Sequence, residues 1–119
     1  MSAENRAVVE RVNAAFTKGD VEGFLSCCAD DVVWTMIGEK SVKGKPAIRD
    51  WMRAMPAEPP QFTVDGMCAE GDLVTAFGDM TMTHDGTPVP YAYCDVYRIH
   101  GGRIAELRSY VLKTARASE

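Results

Sequence analysis

"YAYCDVYRI", residues 91–99, alternates in a way that decides how the chain folds. With a period of two, Tyr91, Tyr93, Asp95 and Tyr97 share one face, and Ala92, Cys94, Val96 and Arg98 share the other. Three tyrosines around a carboxylate would make a poor outer surface. The pattern predicts a central strand whose aromatic face turns inward.

The flanking segments carry turn signals. Leu73–Thr83 reads as a strand ending at Asp85-Gly86, a strong hairpin signal. His100-Gly101-Gly102 reads as a second turn, before a last strand from Arg103 to Lys113 and a short tail. Upstream, Phe62–Ala69 reads as one more strand, turning at Gly71-Asp72. Across the Asp85-Gly86 hairpin, Ala76, Gly78, Met80, Met82 and His84 form the matching alternates. The two methionines and two small residues among them either pack the core or line a pocket, since methionine adapts to irregular shapes.

Further upstream the period changes to that of a helix. Val8, Val9, Val12, Ala15 and Phe16 make one apolar stripe, stopped by Gly19. Asp20 caps a second helix carrying Val21, Phe24, Leu25 and Cys28, which "ADD" (29–31) ends. "VVWTMI" (32–37) is rich in strand formers. Pro46 opens a third helix with Ile48, Trp51, Met52 and Met55 on one stripe, closed by "PAEPP" (56–60). Helices first and an antiparallel meander after make an α+β domain, in which the sheet must curl around the three helices to cover its inner face.

At 119 residues the chain has room for one domain and one core, with the core over about 8–113. A net charge of −4, with 13 basic residues scattered along the chain, argues against nucleic acid. The densest basic stretch, Lys40, Lys43, Lys45, Arg49 and Arg53, reads as a solvated helix face or as a rim attracting an anionic ligand. No run reaches the roughly 18 apolar residues of a membrane span. The charged N-terminus lacks a signal core, so the expected location is cytoplasmic, with no membrane partner. Cys27, Cys28, Cys68 and Cys94 form no CxxC pair and read as small reduced core residues. With only His84 and His100 and no cluster around them, no metal is expected, and no phosphate loop or nucleophile elbow points to another cofactor.

"GDVEGFLSCCADDVVW", "VKGKPAIRDWM" and "DGTPVPYAYCDVYRIHGGRIAELRSY" together resemble the nuclear-transport-factor-two-like superfamily. Within it the chain is similar to SnoaL-like polyketide cyclases and ketosteroid-isomerase-like proteins, from about Val8 to Lys113. The resemblance implies a conical, curved mixed sheet wrapped around three helices (a cystatin-like α+β barrel), with a deep pocket at the wide end. It also implies a homodimer through the outer sheet face, where Thr75, Phe77, Ala92, Cys94, Val96 and Leu112 point. Asp95 falls on the aspartic acid that hydrogen-bonds the developing oxyanion in ketosteroid isomerase. The carboxylate base of that family falls on Thr35 or Met36, and its oxyanion tyrosine near Val12. One of three catalytic positions is thus retained.

Asp95 is the expected catalytic residue, with His84 as a possible second group. Buried among rings its pKa should rise, letting it act either as a protonated donor or as a base toward an activated carbon. It could equally be tied down as structure by a tyrosine hydroxyl or a strand amide. The expected ligand-lining residues are Trp34, Met36, Trp51, Met80, Met82, Tyr91, Tyr93, Tyr97, Leu107 and Ser109, the last two placed by the resemblance; the tryptophans are cavity wall or core. The leading expectation is a cofactor-independent cyclase, isomerase or dehydratase acting on a small hydrophobic or polyketide-like molecule. The alternatives are a ligand-binding module and a pure dimerisation domain of the same fold. An epoxide hydrolase of the limonene type would need two carboxylates and an arginine converging on one water, and only Asp95 is placed to serve.

Overall fold

A computed structural model describes residues 2–55 and 61–114. The proline-rich helix stop at 56–60 and the tail beyond Thr114 lie outside these residues. In chain order the elements are α1 (Ser2–Lys18), α2 (Val21–Ser26), β1 (Cys28–Met36), β2 (Lys40–Lys43) and α3 (Lys45–Arg53). Then come β3 (Gln61–Phe62), β4 (Gly66–Glu70), β5 (Leu73–His84), β6 (Thr87–His100) and β7 (Arg103–Lys113).

The period-two alternation of β5 and β6 becomes one long antiparallel ladder, from Leu73↔Arg98 to His84↔Thr87. Asp85 (φ 53) and Gly86 (φ 78) both lie in the left-handed region, which a two-residue hairpin turn matched to strand twist requires. β6 continues into β7 by a second hairpin. The sheet runs β2-β1-β7-β6-β5-β3, with β4 also on β5. Every pairing is antiparallel except β1 with β7, which is parallel. The sheet is mixed, curved and unclosed, with the three helices against it.

Helix α1 lies across β4 and β5, and α3 across β1 and β2. Asp20 caps α2 by accepting from the Gly23 amide at 3.0 Å, and Pro46 stands in the first turn of α3. The expected stripes bury as one cluster: Val8, Val9, Val12 and Ala15 of α1, Phe24 and Leu25 of α2, and Ile48 of α3. They meet Val32, Trp34, Val74, Tyr97, Ile99, Ile104 and Leu107 of the sheet.

Local boundaries differ from the sequence reading in four places. Helix α2 ends at Ser26, and Cys28–Asp31, expected as helix end and terminator, begin strand β1. Parallel pairing draws them in, with Cys28 opposite Ile104 and the Ile104 amide donating to the Cys27 carbonyl. Lys40 and Lys43 belong to strand β2 rather than to a helix face, and only Lys45, Arg49 and Arg53 of that basic stretch sit on α3. Phe62–Ala69 is two short strands, β3 and β4, separated by Thr63–Asp65. Met55 lies beyond α3 and is exposed, as is Cys68, so only Cys27 and Cys28 serve as core cysteines.

Candidate active site

Pairing registers place the inner-face residues in rows across the sheet. Asp95 stands opposite Ala76 on β5 and Ser109 on β7, and Ser109 is opposite Met36 on β1. One row further along, Tyr93 pairs with Gly78 and Val111. On the other side, Tyr97 pairs with Val74 and Leu107, and Leu107 with Trp34. Asp95 thus has short side chains on both lateral flanks and tyrosines before and behind it. It is half-buried, crowded by protein yet still touching solvent.

The three tyrosines have three different fates. Tyr97 is fully buried, and its hydroxyl has no hydrogen-bond partner among the described residues. Tyr93 donates to the Thr63 carbonyl at 2.7 Å and meets the Phe62 ring edge-on at 6.1 Å. Its hydroxyl therefore pins the Thr63–Asp65 crossing over the inner face. Gly78 is needed beneath that crossing, because a Cβ there would collide with the Thr63 carbonyl oxygen. Tyr91 shares a 2.9 Å hydrogen bond with His84 Nε2, near the tip of the β5–β6 hairpin.

Asp95 is held from β7. Ser109 stands directly across the β6–β7 ladder with its hydroxyl lowering the pKa of the Asp95 carboxyl, and the Trp34 indole N–H donates to Ser109 Oγ at 2.9 Å. Burial pushes the Asp95 carboxyl up to about 6, with the Ser109 bond pulling the other way. Burial also raises Tyr93, to about 12, and Tyr97, each with a further push from Asp95. Burial likewise pushes the Cys28 thiol up to about 12, which makes it an inert core group.

Beside Trp34 rises an aromatic wall. Phe24 lies 5.2 Å, Phe16 5.9 Å and Trp51 5.0 Å from it between ring centroids. Trp34 is core, at 8% exposure, and Trp51 is half-buried. Lys40 Nζ sits 5.7 Å from the centre of the Trp51 ring, a cation–π contact on the inner side of edge strand β2. Three of the other cations of that stretch are engaged elsewhere. Arg49 grips Glu22 through two bonds of 2.7 and 3.1 Å, Arg53 joins it at 2.8 Å, and Lys45 faces Asp30 at 3.6 Å.

Of the expected site residues, Met36, Leu107 and Ser109 share the inner face with Asp95, as do Tyr93 and Tyr97. Met80, Met82 and Tyr91 occupy its more open end, with His84 exposed beyond them. His84 bonds to Tyr91 and stands four alternate positions from Ala76, the β5 partner of Asp95. Thr35 turns outward to share a 2.9 Å hydrogen bond with Ser41, which leaves Met36 as the inward neighbour of Ser109. Val12 is sealed in the core. Arg98 is exposed and bridges Asp72 at 3.1 Å and Glu106 at 3.8 Å, away from Asp95. Lys40 and Phe62 were not singled out for the site in the sequence. The first sat in a run of basic residues, and the second only acquires meaning once β3 pairs with β5.

Among the described residues, no cluster of three or more His, Cys, Asp or Glu could hold a metal ion. No helix among them is long and apolar enough to cross a membrane. Two surface depressions lie elsewhere. One of about 460 Å³ is bounded by Asn5, Asp72 and His100, and one of about 400 Å³ by Arg6, Asn13 and Met67.

Residues 9–107 match the SnoaL-like domain family. The chain belongs to that family. Its SnoaL-like fold is shared by an NTF2-like protein of unknown function from Burkholderia pseudomallei K96243, at 22% identity and TM-score 0.85, over 97% of this chain and 100% of that one. A LEH-like epoxide hydrolase from M. tuberculosis is similar at 21% identity and TM-score 0.83, over 92% and 84% of the two chains. TerC, co-crystallised with polyporic acid, is similar at 21% and 0.80, over 89% of each. At these identities the likeness establishes the NTF2-like α+β fold. No curated protein matches the sequence.

Proposed function

We propose that this SnoaL-like domain is a cofactor-independent acid/base enzyme of the isomerase, cyclase or dehydratase type, acting on a small hydrophobic or polyketide-like molecule at the inner face. Asp95 is its acid/base. The observation that carries this reading is a half-buried carboxylate among tyrosines, poised near neutrality and without a cationic partner among the described residues. A group whose pKa lies near the working pH exchanges protons most effectively. Such perturbed carboxylates concentrate at functional sites. Met36, Met80, Met82, Tyr91 and Trp51 supply a deformable apolar surround open to solvent at one end. The four free cysteines are compatible with a reducing, cytoplasmic setting.

Exchange of α-protons for deuterium in small cyclic ketones and β-keto esters, followed by proton NMR in D₂O, tests this whatever product the enzyme forms. Asp95→Asn keeps the shape and an acceptor oxygen but cannot exchange a proton. The exchange rate should fall by about 10² to 10⁴-fold, with affinity little changed. An Asp95→Asn protein that exchanges at the parent rate would overturn the assignment. His84→Ala serves as a comparison, and a similar loss there would make the two residues one unit.

A binding module without turnover is the second reading. It is favoured by Met36 and Val12, apolar side chains where ketosteroid-isomerase-like catalysis would place a base and a tyrosine. Binding of the same ketones with no exchange by the parent chain would select it.

The functional unit is proposed to be a homodimer through the convex sheet face. Phe77, Cys94 and Tyr110 form one row there, beside Leu112 at 72% exposure. Sedimentation of the chain as a stable monomer at micromolar concentration would refute this.

A further inference from the structure

The bonds around Asp95 constrain more than its affinity for a proton. An indole N–H is a donor only and has no lone pair to offer. Its 2.9 Å bond to Ser109 Oγ therefore obliges the serine to accept there, leaving the single hydroxyl proton to be donated elsewhere. Asp95, directly opposite in the β6–β7 ladder and lowered in pKa by Ser109, is the acceptor that the register offers to that proton. When Asp95 is ionised no other arrangement works, because a carboxylate only accepts. When it takes up a proton, the oxygen facing Ser109 already receives one hydrogen. On the β5 flank stands Ala76, which brings no polar side-chain atom.

We propose that Trp34 and Ser109 are positioning residues that confine the exchangeable proton of Asp95 to the carboxyl oxygen Ser109 does not engage. Rotation of the carboxyl would present its O–H to Ser109 and strand the serine proton, and the donor-only indole cannot take it. One oxygen is thereby spent on support and the other is reserved for exchange with a bound molecule. The proposal rests on the reading of Asp95 as the proton-exchanging group. The other titratable groups facing that carboxyl are Tyr93 and Tyr97 on its own strand, both kept neutral by burial across the working range. Ser109 from β7 and Ala76 from β5 do not titrate, and no cation contributes among the described residues.

The test is NMR of the full chain between pH 4 and 8, following the Asp95 side-chain carboxyl carbon together with the indole N–H of Trp34. With two tryptophans in the chain, Trp51→Phe assigns the resonance. The Trp34 indole should titrate with the same midpoint as Asp95, as the signal passes through Ser109. Ser109→Ala should move the Asp95 midpoint upward by about one pH unit and abolish the indole response, since a charge-assisted bond is lost. Ser109→Thr, which keeps the hydroxyl, should restore both. Trp34→Phe should shift the midpoint upward by less, because the serine hydroxyl survives but is no longer oriented. An unmoved Asp95 midpoint in folded Ser109→Ala, or a Trp34 indole blind to the titration in the parent chain, would overturn the proposal. An ordinary carboxylate midpoint in the parent strikes instead at Asp95 as acid/base; the support from Ser109 is then judged by whether Ser109→Ala still moves that midpoint.

Discussion

Along the inner face of β6 the two ends are built from the same alternation and end in opposite states. At one end Tyr97 and Ile99 are sealed, at 0% and 2% exposure, in a single apolar cluster with Val9 and Val12 of α1. At the other end Tyr91, Met80 and Met82 are only half-buried, and His84 reaches solvent. Asp95 stands at the boundary. Enough protein surrounds it to disfavour its charge, yet a solvent-side approach remains. A carboxylate two residues closer to Ile99 would be locked away, and one at Tyr91 would be nearly in water. The contrast teaches that helix coverage, rather than strand pattern, divides core from site.

Truncation should expose that division most strongly. Tyr97→Ala is expected to destabilise the fold by about 3–5 kcal/mol, as for other large buried rings, while Tyr91→Ala should cost under about 1 kcal/mol. Chemical denaturation of both variants measures this, and equal losses would erase the distinction between the two ends.

Next in size is the effect of Asp95 on stability. Its folded pKa is raised from 3.8 to about 6, so between those values the folded state holds a proton that the unfolded chain releases. Stability from this group is fully present below about pH 4, falls as pH rises to about 6 and is flat beyond. Asp95→Asn should therefore stabilise the protein at pH 7 by roughly 2 kcal/mol, allowing for partial solvent access, and make no difference near pH 3. Denaturation midpoints across that range decide it. A variant less stable than the parent at pH 7 would recast Asp95 as a structural anchor for the tyrosines.

The Thr63–Asp65 crossing marks where the open half begins. Gly78→Ala forces that backbone away and should cost about 1–3 kcal/mol, with Tyr93→Phe costing about 1 kcal/mol. Faster hydrogen exchange confined to the Thr63 and Asp65 amides, which bond to Asp79 and Phe77, would localise the damage. Undisturbed exchange there would mean the crossing is held by other contacts. Smallest is Tyr97→Phe. Because the deleted hydroxyl has no partner among the described residues, stability should hold within about 0.5 kcal/mol or rise slightly. A loss well beyond that would reveal a bound water or another acceptor at the narrow end.

Asp95 was legible in the sequence because alternation is a local property, and the short run from Tyr91 to Tyr97 suffices to place a carboxylate among tyrosines. The hairpin at Asp85-Gly86 was legible for the same reason, since positive φ at two successive positions restricts the residues that can stand there. Strand β2 was not. "KSVK" is four residues on a sheet edge, with only Val42 half-buried, and its periodicity is too short to register. The link from Trp34 to Ser109 was out of reach as well. It spans 75 positions and exists because β1 pairs with β7 in parallel, a long-range choice that no local pattern encodes. Gly78 likewise read only as a small residue of core or pocket wall, whereas its smallness admits a backbone crossing.

The most direct test of Asp95 as a proton-exchanging group at the edge of the core is NMR titration of its own side-chain carboxyl in the unmodified chain. The expected midpoint is about 6, set by burial against the support of Ser109. A midpoint at or below the ordinary aspartate value of about 3.9 would contradict it, and would mean that the group is solvated or paired with a cation.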